Sequence, residues 1–252
     1  MEIRLDGKTA IITGASRGIG EATARLLHAS GANVMLISRK SEVLEGVAKS
    51  LGERASYFVA NVGDSESARN AIETTLDKFG SIDILINNAA TNPYFGSIME
   101  IDESRAIKTV QVNQIGTLVW TQAAYSSYMK ENGGSVVNVA SVGGLSVEWG
   151  IGFYNVTKAA VIRLTEQMAG EMGPKVRVNA VAPGLIKTKF AKALWESNED
   201  IVASKLPLRR IGEPDDVAKV IVFLASEAAG WITGSTVVVD GGAMVVPSGG
   251  IT

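Results

Sequence analysis

Three residues, Ser141, Tyr154 and Lys158, have types and spacing suited to moving a proton to or from an oxygen. Tyr154 and Lys158 are four apart, so on a helix they share one face. A free phenol titrates near pH ~10, too high for a good acid or base at neutral pH. An ammonium one turn away favours the phenolate and is expected to lower that value. Ser141 follows the apolar run 135–140, and its hydroxyl could hold a reacting oxygen in place. Y-x-x-x-K alone occurs by chance in many helices, so its meaning depends on the rest of the chain.

Apolar runs that read as buried strands recur at 8–13, 33–38, 56–60, 82–87, 135–140, 176–181 and 236–240. Helical patterns lie between them, from the first glycine turn to about 30, then at 41–51, 65–79, 104–130, 153–172 and 214–225. This alternation predicts a single doubly wound, Rossmann-type α/β domain over 1–252, with a parallel sheet of about seven strands and helices on both faces. Ser141 then falls at the C-terminal edge of a strand, where such sheets open their ligand crevice.

Gly14, Gly18 and Gly20 punctuate the segment Gly14-Ala15-Ser16-Arg17-Gly18-Ile19-Gly20 between a strand and a helix. Such a turn lets backbone approach a pyrophosphate and sets a helix N-terminus against it. The second strand ends at Ser38, followed by Arg39 and Lys40. No carboxylate stands there to repel a 2′-phosphate, and Arg17 and Arg39 could attract one, so NADP(H) is favoured over NAD(H).

Taken together, these segments resemble the short-chain dehydrogenase/reductase family over essentially the whole chain. The match rests on Thr13 to Gly20, Asn87-Asn88-Ala89, Asn113, Ser141, Tyr154-x-x-x-Lys158, Pro183-Gly184 with Thr188, and Asp240-Gly241-Gly242. The resemblance implies Tyr154 as general acid in reduction, Ser141 orienting the carbonyl, and Lys158 binding the nicotinamide ribose. It implies that Asn113 holds a water leading to Lys158, and that Asn87 and Ala89 line the adenosine side. Asn61 and Val62 would lie near the adenine, and Pro183, Gly184, Ile186 and Thr188 would contact the nicotinamide and phosphates. Two departures stand out: Ala90 follows Asn-Asn-Ala where the family commonly has glycine, and Asn61 stands where many members have Asp.

The interval 183–212 breaks the strand–helix rhythm and carries Leu185, Phe190, Leu194 and Trp195, as a substrate lid would. Its motifs are similar to animal dehydrogenase/reductase member-four enzymes, which implies an NADPH-dependent carbonyl reductase. The architecture is equally similar to bacterial 3-oxoacyl-acyl-carrier-protein reductases, which leaves a 3-oxoacyl thioester as the alternative substrate. Only Lys130 and Lys175 stand where arginines would dock an acidic carrier. A non-enzymatic dinucleotide-binding protein would typically lose the tyrosine or lysine, so the complete set favours an enzyme.

Hydrophobic residues make up 46% and charged residues 20% of the chain, as in an ordinary soluble globule. A net charge of -2 argues against nucleic acid or an anionic membrane as partner. The absence of cysteine removes thiolate metal sites and cysteine nucleophiles, and no metal-ligand spacing appears among the acids. His28, the single histidine, lies on the first helix away from the trio. The start lacks a signal peptide's apolar core and no run is long and charge-free enough to span a bilayer, so a cytoplasmic location is expected. Apolar surface on the helices around 104–130 and 153–172, the glycine-rich tail 241–252 and the family resemblance suggest a homotetramer.

Overall fold

Seven apolar runs form strands in the computed structural model, which describes residues 2–246. They are β1 (Thr9–Thr13), β2 (Asn33–Ser38), β3 (Ala55–Val59), β4 (Ile84–Asn87), β5 (Gly134–Val139), β6 (Val176–Pro183) and β7 (Thr236–Val239). All pair in parallel in one sheet of order β3-β2-β1-β4-β5-β6-β7. The chain winds outward from β1 to β3, then returns to lay β4 on the other side of β1. That reversal opens a crevice at the C-terminal ends of β1 and β4.

The helices are α1 (Gly18–Ala29), α2 (Ser41–Leu51), α3 (Ser65–Phe79), α4 (Glu103–Val110), α5 (Gly116–Ala124), α6 (Lys130–Asn132), α7 (Gly152–Met172), α8 (Glu199–Ser204) and α9 (Pro214–Ala225). The single helix expected at 104–130 is a continuous run with π-helical turns at Gln111–Ile115 and Tyr125–Met129, so α4, α5 and α6 are its α-helical parts. Alternation along β1 sorts the core into two layers. Ala10 and Ile12 pack with Leu27 of α1, Leu44 of α2 and Ile221 of α9. Ile11 faces the other way, with Ile72 of α3, Trp120 of α5 and Met168 of α7. Burial on both faces explains why the central strands read as unbroken apolar runs. Each buried Leu, Ile or Met side chain contributes roughly 1.5–3 kcal/mol.

Beyond Pro183 the segment to residue 212 holds only a 3₁₀ turn at Lys192–Leu194 and the short α8. Its two ends meet where Ile186 bridges Gly212, and Lys187 forms ion pairs with Glu199 and Glu213. Pro214 then starts α9, with the Asp216 carboxylate accepting from the Glu213 amide at 2.8 Å. Residues 247–252, part of the tail invoked for oligomerisation, lie outside the described residues. Among the described residues no helix is long and apolar enough to cross a membrane.

Candidate active site

A cavity of about 590 Å³ lies at the C-terminal ends of β1, β4, β5 and β6. One end is built by the turn between β1 and α1: Gly14, Ser16, Arg17, Gly18 and Ile19 line it, joined by Ser38 and Arg39. The Ser38 hydroxyl hydrogen-bonds the Ser16 hydroxyl at 3.1 Å, tying the end of β2 to the glycine turn. Gly20 does not line the cavity; it lets α1 close on the strand. A Cβ there would stand 2.4 Å from the Gly14 carbonyl oxygen and 2.5 Å from Asn88 Nδ2. The space it leaves is used by Asn88, whose amide donates to the Thr13 carbonyl at 2.9 Å. The N-terminus of α1 has no side-chain cap, so its first amides remain available to a ligand beside them.

The other end carries the proton-transfer trio. Ser141, Tyr154 and Lys158 all line the cavity, together with Ala140, Val142, Glu148 and Ile151. Tyr154 and Lys158 occupy one face of α7, as their spacing predicts. Lys158 is 3% exposed, donates to the Val139 carbonyl at 2.6 Å, and places Nζ 5.6 Å from the centre of the Tyr154 ring. Ser141 precedes a 3₁₀ turn and accepts from the Gly143 amide at 3.2 Å. That turn sits directly on α7: a Cβ on Gly143 would lie 2.0 Å from Asn155 Oδ1. The Gly143–Gly144 pair was not singled out in the sequence, although two glycines after a strand signal a close approach.

The electrostatics correct one expectation. Lys158 was expected to lower the Tyr154 pKa; instead burial raises the phenol above its ordinary value. The Ser141 hydroxyl works in the opposite direction and the nearby Glu148 carboxylate adds to the rise. Tyr154 therefore keeps its proton at neutral pH. Burial also lowers Lys158 from an ordinary 10.5 to about 8, which leaves it largely an ammonium at pH 7.

The expected middle of the site is partly redrawn. Asn61, Val62, Ala89, Pro183, Gly184, Ile186 and Thr188 line the cavity as expected. Asn87 does not: it ends β4 facing inward, and its amide donates to Thr121 and Asn138, each at 2.9 Å. Its neighbours Asn88 and Ala89 take the lining position. The Asn113 amide, expected to hold a water, is bonded to its protein neighbours. Its Nδ2 donates to the Thr91 carbonyl at 3.0 Å and to Thr157 Oγ1 at 2.9 Å, and its Oδ1 accepts from the Thr91 amide at 2.8 Å. It clamps the loop after β4 to the turn of α7 that carries Lys158.

The segment 183–212 contributes Leu185, Lys189, Phe190 and Leu194 to the lining, with the Phe190 ring 5.9 Å from that of Tyr154. Trp195 is outside it. Tyr94 and Phe95, which the sequence reading passed over, line the facing wall. Lys130 and Lys175 lie before β5 and β6, at the opposite edge of the sheet, and Lys175 is bonded to Glu131. They have no bearing on the cavity mouth of this chain.

The donor set fits a dinucleotide: a glycine turn and uncapped helix start at one end, cations beside it that form no ion pair among the described residues, and the serine, tyrosine and lysine at the other. Comparisons with known proteins agree. A family profile described as Enoyl-(Acyl carrier protein) reductase matches residues 14–244. The chain is 43% identical over 244 residues to Dehydrogenase/reductase SDR family member 4 of Homo sapiens, covering 94% of this chain and 88% of that protein. Its likeness to the protein of the same name from Oryctolagus cuniculus is 42% over 245 residues, covering 95% and 94%. The solved short-chain dehydrogenase/reductase (SDR:Glucose/ribitol dehydrogenase) of Brucella melitensis matches with a TM-score of 0.92 at 32% identity, covering 96% of this chain and 99% of that one.

Proposed function

The chain belongs to the short-chain dehydrogenase/reductase family of oxidoreductases, and we propose that it is an NADP(H)-dependent reductase converting a ketone or aldehyde to an alcohol. The observation that carries this reading is that Ser141, Tyr154 and Lys158 line the same cavity as the glycine turn. The glycine turn and the start of α1 would hold a nicotinamide dinucleotide, which would supply hydride for the carbonyl carbon. Ser141 donates a hydrogen bond to the substrate oxygen and fixes it beside the tyrosine. Tyr154, protonated at neutral pH, gives that oxygen its proton as the alcohol forms. The Lys158 ammonium then favours the phenolate left behind, and Tyr154 recovers a proton from solvent. Asn113 acts as a positioning residue by holding α7 against the loop after β4.

Preference for the 2′-phosphate rests on Arg17 and Arg39. Both are exposed at the glycine end of the cavity, and neither forms an ion pair among the described residues. The segment 183–212 serves as the lid, covering the substrate with Phe190 and Leu194. A 3-oxoacyl thioester remains the second reading, because the matching family profile is that of Enoyl-(Acyl carrier protein) reductase and Lys108 and Lys189 line the cavity. A cytoplasmic location and a homotetramer complete the proposal, the latter supported by the family likeness.

The test is NADPH oxidation with acetoacetyl-CoA, a 3-oxoacyl carrier protein, a diketone and an aromatic ketone, with NADH alongside. Turnover of the diketone or aromatic ketone with NADPH supports carbonyl reduction; turnover confined to the thioesters selects the second reading. No turnover of any of them, or faster turnover with NADH, would sink the proposal as stated.

A further inference from the structure

Glu148 is a carboxylate inside the cavity that the proposed reaction does not use. It lies on the loop between the 3₁₀ turn Val142–Gly144 and α7, is only partly exposed, and lines the cavity with Ser141 and Tyr154. Its loop is anchored on both sides. The Ser146 hydroxyl donates to the Val142 carbonyl at 3.0 Å, and the Gly96 amide donates to the Gly150 carbonyl at 2.9 Å. The neighbouring Trp149 packs edge-on against Phe95, with ring centres 5.5 Å apart. The loop that carries the carboxylate is therefore held beside the reacting groups.

Among the described residues Glu148 has no ion pair and no side-chain hydrogen bond. The cavity's cations, Arg17, Arg39, Lys108, Lys158 and Lys189, leave it unpaired among the described residues. A partly desolvated carboxylate without a partner is costly, and a ligand cation that supplies the partner recovers that cost. The same cavity is lined by three aromatic rings, Tyr94, Phe95 and Phe190. A cavity that combines an unpaired carboxylate with aromatic rings favours an ammonium group, through ion pairing and cation–π attraction. An anionic substituent meets repulsion in the same place.

We propose that Glu148 selects the substrate: the preferred ketones carry a protonated amine, which Glu148 pairs while the carbonyl lies at Ser141 and Tyr154. This rests on the carbonyl-reductase reading of the site.

Three ketones of one shape separate the charges: N-methyl-4-piperidone, 4-methylcyclohexanone and 4-oxocyclohexanecarboxylate, compared by kcat/KM with NADPH at a pH where the amine is protonated. The cationic ketone is expected to exceed the neutral one by roughly tenfold and the anion to be the poorest. In Glu148→Gln the cation-to-neutral ratio falls to about one, and Glu148→Asp keeps part of it. Calorimetry with N-methylpiperidinium, which has no carbonyl, reads the pairing apart from chemistry: binding to the wild type weakens about tenfold in Glu148→Gln. Turnover of the neutral ketone with no cation preference, or a preference that survives Glu148→Gln, overturns the role of Glu148 and leaves carbonyl reduction standing. No turnover of any ketone, here or in the broader panel, overturns both.

Discussion

The Lys158 ammonium donates to the carbonyl of Val139, the last residue of β5, at 2.6 Å. This bond spans the strand that leads to Ser141 and the helix that carries Tyr154. It fixes a buried charge near the phenol, and burial is what lowers the Lys158 pKa to about 8.

Lys158 titrates near 8 in the fold and at 10.5 when free. Between those values the unfolded chain binds more protons than the native one, so this group makes stability rise with pH across that window. Below pH 8 both states carry the proton and the full desolvation cost is present, about 3 kcal/mol in order of magnitude. Lys158→Met removes the dependence. Urea midpoints at pH 7 and pH 10 are expected to show the variant gaining on the wild type at pH 7 and losing that gain at pH 10. Equal differences at both pH values would show that the lysine is not desolvated.

Tyr154→Phe deletes the proton donor and little else. Turnover with a ketone substrate is expected to fall by about a hundredfold or more, with NADPH affinity nearly intact, because the hydroxyl acts only in the transition state. Loss of NADPH binding in parallel with turnover would contradict the role.

Arg39→Asp puts a carboxylate beside the Ser16–Ser38 bond, where a 2′-phosphate is expected. NADPH binding is expected to weaken at least about tenfold more than NADH binding, as measured by fluorescence titration. An unchanged ratio would leave the cofactor preference without its physical basis.

Gly143→Ala places a methyl 2.6 Å from Asn155 Cγ and still closer to its oxygen. The 3₁₀ turn must lift off α7, costing about 1–3 kcal/mol of stability. Because that turn begins at Ser141, ketone turnover is expected to fall while NADPH binding at the far end of the cavity is retained. A variant with wild-type melting and turnover would mean the contact is easily relieved.

Asp216 accepts both guanidinium nitrogens of Arg210, at 2.6 and 2.9 Å, as well as the Glu213 amide. These partners hold its carboxyl down to about 2. Its stabilising contribution is therefore complete above the ordinary carboxylate range and is lost as pH falls through about 2. Asp216→Asn is expected to cost about 1 kcal/mol near neutral pH, read as a lowered urea midpoint. The same cost at pH 2 would place the effect elsewhere.

The α/β alternation, the glycine turn and the Tyr154–Lys158 pair are legible in the sequence because each is a local pattern. Strand burial, helix periodicity and a four-residue spacing depend on residues close together in the chain. That is why the seven strands lie within a residue or two of their expected bounds, and why the doubly wound sheet followed. Decisions between distant segments are different. That Asn87 turns inward to Thr121 and Asn138 while Asn88 faces the cavity depends on how β4 ends against α5 and β5. Asn113 spends its amide on Thr91 and Thr157 because the π-helical turn brings it between a loop and α7. The raised Tyr154 pKa and the lone carboxylate of Glu148 likewise reflect desolvation and packing among residues that no spacing brings together. Local periodicity determined the frame and the reacting pair; the cavity's polarity was decided by which side chains the folded elements bury, pair or leave unpaired.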